Sequence, residues 1–418
     1  MSSRHHRSGV LRQPRFRRYL VGQAASLLGD SLVPLTIAFA ALEVAGPGGM
    51  GLVLAANRLP VAVLVLVGGA LGDRWPRRAL MVGADVLRCV VQATSGLLLM
   101  TGHAGLAGLV VLQALAGVGT AVFVPAASGL VPSLVDEDQV QEANAVLGLV
   151  GNVNKVLSIS LAGALVAGVG PGVGLLVDAA TFAVSAVSLA RLPVPAPVRN
   201  TARPGLWREI RDGARLVVSL RWLSILLVYG ALLQALVIGP HMVAGLLVAE
   251  RHYGGATGWA AIGVVQAVGS IVGGVAAMRW KPRRPLVAGV AVGLLMVPYL
   301  VVLALGGPLW LVCALAVLVG AQGSVYLTVQ AAQLQQRVPE AARSRVAAWS
   351  QMGNLVALPA SLAVTGPVAA HVGGGSVLLF AACWLTVSTV VVLATRALDV
   401  PAASAAGRGV QPNKAARA

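Results

Sequence analysis

Long apolar runs recur along this chain, broken by clusters of glycine, proline and arginine, and their length decides what the chain can become. A helix needs about 20 mostly apolar residues to cross the hydrocarbon layer of a membrane. Runs of that length read as spans at 19–44, 51–72, 79–101, 106–131, 143–168, 171–190, 222–248, 258–279, 286–305, 308–334, 346–370 and 375–396. The breaks fall at Gly46-Pro47-Gly48-Gly49, Gly170-Pro171-Gly172 and Gly373-Gly374-Gly375, where a helix readily turns or ends. Only 11% of the residues are charged and 57% are apolar, whereas a soluble domain carries about a quarter charged residues. Much of the exterior must therefore face lipid. The expected class is an all-α membrane protein of twelve transmembrane helices.

The basic residues orient these spans. Of the 31 Lys and Arg, 27 fall in the segments that twelve spans place on the side of both termini. One, Arg251, falls on the opposite side, and Arg58, Arg88 and Lys155 lie within spans. This is the positive-inside pattern, and an odd number of spans would scramble it. It predicts a multi-pass protein of the inner (plasma) membrane with both termini in the cytoplasm. The net charge of +17 would suggest nucleic-acid binding in a soluble domain. Here the charge lies between apolar runs, so it is read as topology-setting, with membrane lipid and no nucleic acid as its partner. The first apolar run lacks a convincing Ala-x-Ala cleavage site and is too long for a signal sequence, so it is expected to be a retained helix.

The segment 191–221, with prolines 193, 195, 197 and 204, divides the chain. The expected organisation is a cytoplasmic segment 1–18, a six-helix bundle 19–190, a cytoplasmic linker 191–221, a second six-helix bundle 222–396 and a disordered tail 397–418. A basic amphipathic stretch around Trp207 to Arg215 reads as an interfacial helix in the linker. The two halves repeat: GGALGDRWPRRAL (68–80) follows span two and GGVAAMRWKPRRPL (273–286) follows span eight. Gly151-Asn152 and Gly353-Asn354 recur likewise in spans five and eleven.

The first repeat resembles the signature of the major facilitator superfamily, G-x-L-x-D-R-x-x-R-R, through Gly69, Leu71, Asp73, Arg74, Arg77 and Arg78. In the second copy Met278 stands in place of Asp73. Stretches at 11–35, 57–74, 123–135, 177–186 and 338–359 are similar to the branch holding macrolide-efflux and enterobactin-exporter proteins. The resemblance implies two six-helix bundles, a central cavity and a signature loop that latches the bundles in one state of an alternating-access cycle. It departs in span five, where exporters often carry Gly-Pro-x-x-Gly-Gly and this chain reads Ser158-Ile159-Ser160-Leu161-Ala162-Gly163.

An ionisable group at mid-bilayer costs at least ~2.5 kcal/mol on insertion scales, so it is usually paired or functional. Asp30 and Lys155 lie near the middle of spans one and five, which the family fold puts in one bundle, so an Asp30–Lys155 pair is expected. Asp30 is then a candidate for coupling to a proton or a cargo cation. Arg58, two turns into span two, can partly snorkel outward and is a further candidate for ion coupling or the cavity. Asp85 and Arg88, three apart at the start of span three, are expected to join Asp73 and Arg74 in a charge network around the signature loop. Asp178 is read as a structural hydrogen-bonding residue, and Glu43 as solvated near the outer surface. Since the family's spans one, four, seven and ten line the cavity, Gln23, Gln113, Gln234, His241 and Gln322 are its expected polar lining.

No Gly-x-x-x-x-Gly-Lys-Ser/Thr loop is present to use ATP, so ion gradients are the expected energy source. A membrane-embedded enzyme such as a lipid-modifying acyltransferase would gather His, Asp or Ser at one face. The six histidines are scattered, without an HExxH pattern. Cys89, Cys313 and Cys383 lack metal-ligand or CxxC spacing, so neither a metal nor a cofactor is expected. The reading is a monomeric secondary transporter, not an enzyme, that exports a small amphipathic molecule in exchange for an ion, the proton being expected. Import of a small metabolite on the same fold is the alternative.

Overall fold

The computed structural model describes residues 9–136, 139–193, 215, 217–280, 282–338, 340–396 and 398. It leaves the side chains at 65–74, 340–345, 347–348 and 350–355 outside that description. The interfacial helix expected around Trp207 to Arg215 and nearly all of the tail 397–418 fall outside the described residues.

Helices fill the described chain, and no strand occurs among the described residues. In lipid this is dictated by the backbone, because only a helix or a closed barrel satisfies every peptide group without water. The longest helix, Pro14–Arg74, has 61 residues but departs from helical geometry at Gly46, whose φ of 64° suits glycine. Asp30 and Asn57 show that the chain folds back there. A straight helix would separate them by about 40 Å, yet both line one small cavity. We therefore divide it into α1 (14–45) and α2 (47–74). The chain continues as α3 Arg77–Met100, α4 Leu106–Leu130, α5 Val140–Val169 and α6 Pro171–Ala190. The second half holds α7 Arg221–His252, α8 Ala256–Arg279, α9 Pro285–Ala304, α10 Leu309–Arg337, α11 Glu340–Val372 and α12 Gly374–Ala394. Among the described residues twelve helices result, six in each half.

The sequence repeat has a structural counterpart. Trp75 separates α2 from α3, and Trp280 separates α8 from α9. Within each half the second helix packs on the fourth through a glycine. A Cβ on Gly117 would lie 2.2 Å from the Asn57 carbonyl oxygen, and one on Gly320 would lie 1.8 Å from that of Gln266. Small residues allow such close approach where lipid supplies no hydrophobic drive between helices.

Core packing differs between the two ends of the molecule. At the end away from the termini, one core runs across both halves, joining Leu32, Ile37, Met50 and Val53 to Val243, Leu246, Ala260 and Leu362. At the end bearing the termini, each half keeps its own core. One gathers Phe16, Tyr19, Met81, Phe123 and Leu192, and the other Leu223, Leu226, Leu286, Val338 and Val346. Two pairs of helices carry the shared end. On α2 and α11, a Cβ on Gly51 would fall 2.4 Å from the Leu362 carbonyl oxygen, and one on Gly366 would fall 2.4 Å from that of Pro47. On α5 and α8, Gly163 faces Ala260 at 2.3 Å by the same measure. Gly163 is the glycine that survives in the divergent span-five stretch, and this contact is its structural use.

In α7, a wider π turn at Gln234–Ile238 runs into Gly239-Pro240. Pro240 has no N–H to offer the Leu236 carbonyl, and the altered register accommodates that loss. The Ser361 hydroxyl of α11 donates to the Ala235 carbonyl inside this turn.

Candidate functional site

Arg88 on α3 is the centre of a polar cluster inside the first bundle. It is the largest fully buried side chain, with 1% of its surface exposed. Its guanidinium donates to Asp30 Oδ1 at 2.8 Å, to Ser26 Oγ at 3.1 Å and to Asp85 Oδ1. The other oxygen of Asp85 accepts a hydrogen bond from Ser185 at 2.6 Å. Above and below the guanidinium lie the rings of Phe123 and Phe182, each with its centroid 4.3 Å away. Arginine suits this place because its flat fork reaches two carboxylates while its faces stack on aromatics.

Each helix delivers these groups by its own period. Ser26 and Asp30 are four apart on α1, and Asp85, Arg88 and Gln92 are spaced three and four on α3. Asp178, Phe182 and Ser185 follow the same spacing on α6, so each set shares one face. The polar face continues into a chain of amides. Asn57 donates to Gln113 at 3.2 Å, and Gln113 donates to Gln92 at 2.9 Å.

A cavity of about 220 Å³ opens beside the cluster, lined among others by Asp30, Asn57, Arg58, Arg88, Gln92 and Thr120. Asp30 has 30% of its side chain exposed, whereas Asp85 has none. Asp30 thus holds Arg88 with one oxygen while remaining accessible. Asp178 is fully buried on α6. Gln92 and Thr181 are its polar neighbours.

Several sequence expectations change here. The Asp30–Lys155 pair does not form, because Arg88 takes Asp30 and Lys155 is exposed. The face of α5 that meets α1 carries Asn154 and Ser158, which donate to the Ala24 and Leu28 carbonyls at 2.7 and 3.0 Å. Lys155 is turned about 100° from Asn154 around that helix. Arg58 lines the cavity with Asp30, as its candidacy for the cavity requires, and does not reach outward. Asp85 and Arg88 turn into the bundle toward Asp30 and Ser185, and the side chains of Asp73 and Arg74 expected to join them lie outside the described residues. Asp178 lies against Gln92 and Thr181, the polar side chains that a structural hydrogen-bonding role calls for. Glu43 is exposed, as expected.

In the signature loop, Arg77 donates to the Gly129 carbonyl, and Arg78 reaches the Leu192 and Ala190 carbonyls at 2.7 and 2.8 Å. Both therefore complement the carboxyl ends of helices in their own bundle. The backbone of Gly69, Asp73 and Arg74 is helical, and their side chains lie outside the described residues.

The expected cavity lining divides in the same way. Gln113 is fully buried and spends its amide on Asn57 and Gln92. Gln23 and Gln234 each keep a buried side-chain oxygen without a partner. His241 bonds to the Tyr299 hydroxyl at 2.9 Å and packs at tilted angles against Tyr299 and Trp259, at centroid distances of 5.4 and 5.3 Å. Gln322 is half-buried on α10. Among the described residues no group of His, Cys, Asp and Glu is arranged to hold a metal.

With the bundles and the charge cluster in view, comparison with known proteins decides the family. The profile of the Major Facilitator Superfamily matches residues 19–297. The chain belongs to this superfamily. Its relatives include the MFS-type transporter YfiS of Bacillus subtilis (strain 168), 30% identical over 188 residues, 44% of each chain. Macrolide efflux protein A of Streptococcus pyogenes is 27% identical over 224 residues, covering 52% of this facilitator and 55% of that protein. The matched region thus spans about half the length of these relatives.

Among solved structures, the nucleoside transporter NupG superposes with a TM-score of 0.73 at 12% identity, covering 91% of this chain and 98% of that one. A bacterial homologue of the iron transporter ferroportin, in an inward-facing state, gives 0.69 at 15% identity, with the same coverage of each chain. At such identities the likeness concerns fold alone. The chain is thus a multi-pass membrane protein of this superfamily, whose members as a family are not enzymes.

Proposed function

We propose that this facilitator is a secondary active exporter of small amphipathic cations, exchanging its cargo for protons by alternating access. The observation that carries this reading is Asp30, half-open to the cavity and held by Arg88 with one oxygen. A carboxylate so placed can bind either a proton or a cationic cargo group, and competition between the two is the simplest basis for exchange. The macrolide-efflux relative supports the direction and the amphipathic cargo class.

The basic bias of the terminal side supports a plasma-membrane protein with both termini in the cytoplasm. The shared core at the opposite end and the separate cores at the terminal end then describe an inward-facing state. Movement of the bundles about the cluster would carry the cavity from one side to the other.

Cargo identity is open to direct measurement. A deletion strain and an overexpressor, compared by untargeted metabolite profiling and by susceptibility to amphipathic drugs, should move in opposite directions. Deletion is expected to raise the intracellular level of the cargo and to increase drug susceptibility. A fall in the intracellular level on deletion would support import of a small metabolite instead.

A further inference from the structure

We propose that a groove between α1 and α6, at the end bearing the termini, holds the headgroup of one anionic phospholipid. The inference does not depend on which cargo moves or on proton exchange. The groove has a volume of about 400 Å³. It is lined by Arg17, Arg18 and Val21 of α1, by Val187 and Ser188 of α6, and by Arg191 just beyond α6.

Helix spacing builds it. Arg17 stands in the first turn of α1 and Val21 one turn further in, on the same face. On α6 the order is reversed: Val184 and Val187 come first, and Arg191 follows on their face at the end of the helix. Because α1 begins at this end and α6 finishes there, the arginines of both meet at the rim. The valines lie about 6 Å deeper along each helix. Gly22 lets the two helices close up beside the groove. A Cβ there would fall 3.1 Å from Ser188 Cβ and 3.4 Å from the Ser185 carbonyl oxygen.

The charge at the rim is unspent. Among the described residues, Arg17, Arg18 and Arg191 have no ion-pair partner. Arg78 bonds to the Ala190 and Leu192 carbonyls, so Arg191 is not needed to complement the carboxyl end of α6. Three like charges around one groove repel one another, and a bound anion offsets that repulsion.

The valines decide which anion. Val21, Val184 and Val187 are all exposed, on helices apolar enough to cross a membrane. A basic rim above an apolar wall matches a phospholipid, with its phosphate among the guanidiniums and an acyl chain along the valines. A soluble phosphate would use the arginines and leave the valines uncovered. Basic pockets between helices on the cytoplasmic side suit acidic headgroups, and the basic bias assigns this end to that side. Held there, the lipid would tie α1 to α6, which bring Ser26, Asp30 and Ser185 to the charge cluster.

Native mass spectrometry of the full chain, released from micelles holding phosphatidylglycerol and phosphatidylcholine of equal chain length, tests this. The wild type should retain one phosphatidylglycerol in preference to phosphatidylcholine. R17Q/R18Q/R191Q should lower that affinity roughly a hundredfold. These side chains are exposed, so the variant should fold. V21N/V187N keeps every arginine and should also weaken retention. R12Q/R279Q/R283Q removes the same charge elsewhere on the terminal side and should bind like the wild type. Wild-type retention by R17Q/R18Q/R191Q, or an equal loss in R12Q/R279Q/R283Q, would overturn the site. Displacement of the lipid by excess inorganic phosphate would make the groove a site for a soluble anion and would overturn the lipid assignment.

Discussion

Replacing Arg88 with methionine is expected to cause the largest loss of stability of any single change in the first bundle. Arg88 holds Asp30 and Asp85 at once, donates to Ser26 and fills the space between Phe123 and Phe182. Methionine fills the gap between the rings but leaves Asp85, which is fully buried, with only the Ser185 hydroxyl. Breaking a buried pair from one side costs about 3–5 kcal/mol, because the remaining charge loses its compensation. In detergent, the apparent melting temperature of R88M should fall steeply and its yield with it.

Two further variants separate charge from shape. R88K keeps the charge but loses the fork and the stacking, so it should fall between the wild type and R88M. The triple variant R88M/D30N/D85N removes the carboxylates with their partner, so it should regain much of the thermal stability while remaining unable to couple transport to protons. A single R88M variant as stable as the wild type would show that the cluster contributes little to the fold.

A leucine at position 51 should hold the molecule away from the state described here. Gly51 lets α2 lie against the backbone of α11, where even a methyl group would come within 2.4 Å of the Leu362 carbonyl and 3.1 Å of the Gly366 nitrogen. Overpacking of a tight contact costs roughly 1–3 kcal/mol, and about 1.4 kcal/mol changes an equilibrium tenfold. The closed arrangement at this end should therefore lose about one to two orders of magnitude in relative population. Spin labels at the exposed positions Leu52 and Val368 report this directly, and G51L should lengthen the distance between them. Since α2 keeps its packing on α4 at Gly117, the bundle itself should remain folded. An unchanged distance distribution in G51L would remove the α2–α11 contact from the conformational cycle.

The architecture was legible because the membrane leaves a chain few choices. Apolar length fixed the spans, and the basic asymmetry supplies the orientation expected for them. The kink at Gly46 was readable from Gly46-Pro47-Gly48-Gly49. The repeat around Trp75 and Trp280 gave the two halves. The site was less legible, for a geometric reason. Sequence position shows how far along a span a charge lies but not which way it points. Asp30 and Lys155 were matched by depth, while the face of α5 toward α1 belongs to Asn154 and Ser158.

The signal that would have found the cluster was helical spacing. Ser26 with Asp30, Asp85 with Arg88 and Gln92, and Asp178 with Phe182 and Ser185 each mark a polar or aromatic stripe on an apolar helix. Three such stripes in one bundle point to a common interior. Depth alone could not show that Arg88 and Ser185 both turn to Asp85.

The central claim, exchange of cargo for protons at Asp30, is tested most directly by following both in one vesicle population. Inside-out vesicles carrying the purified facilitator, with an interior more acidic than the medium, should accumulate radiolabelled erythromycin or another amphipathic cation from a panel. The same vesicles should show cargo-dependent movement of protons in the opposite direction, and D30N should show neither. Cargo accumulation that persists after the pH gradient is collapsed, or that is unchanged in D30N, would contradict the account.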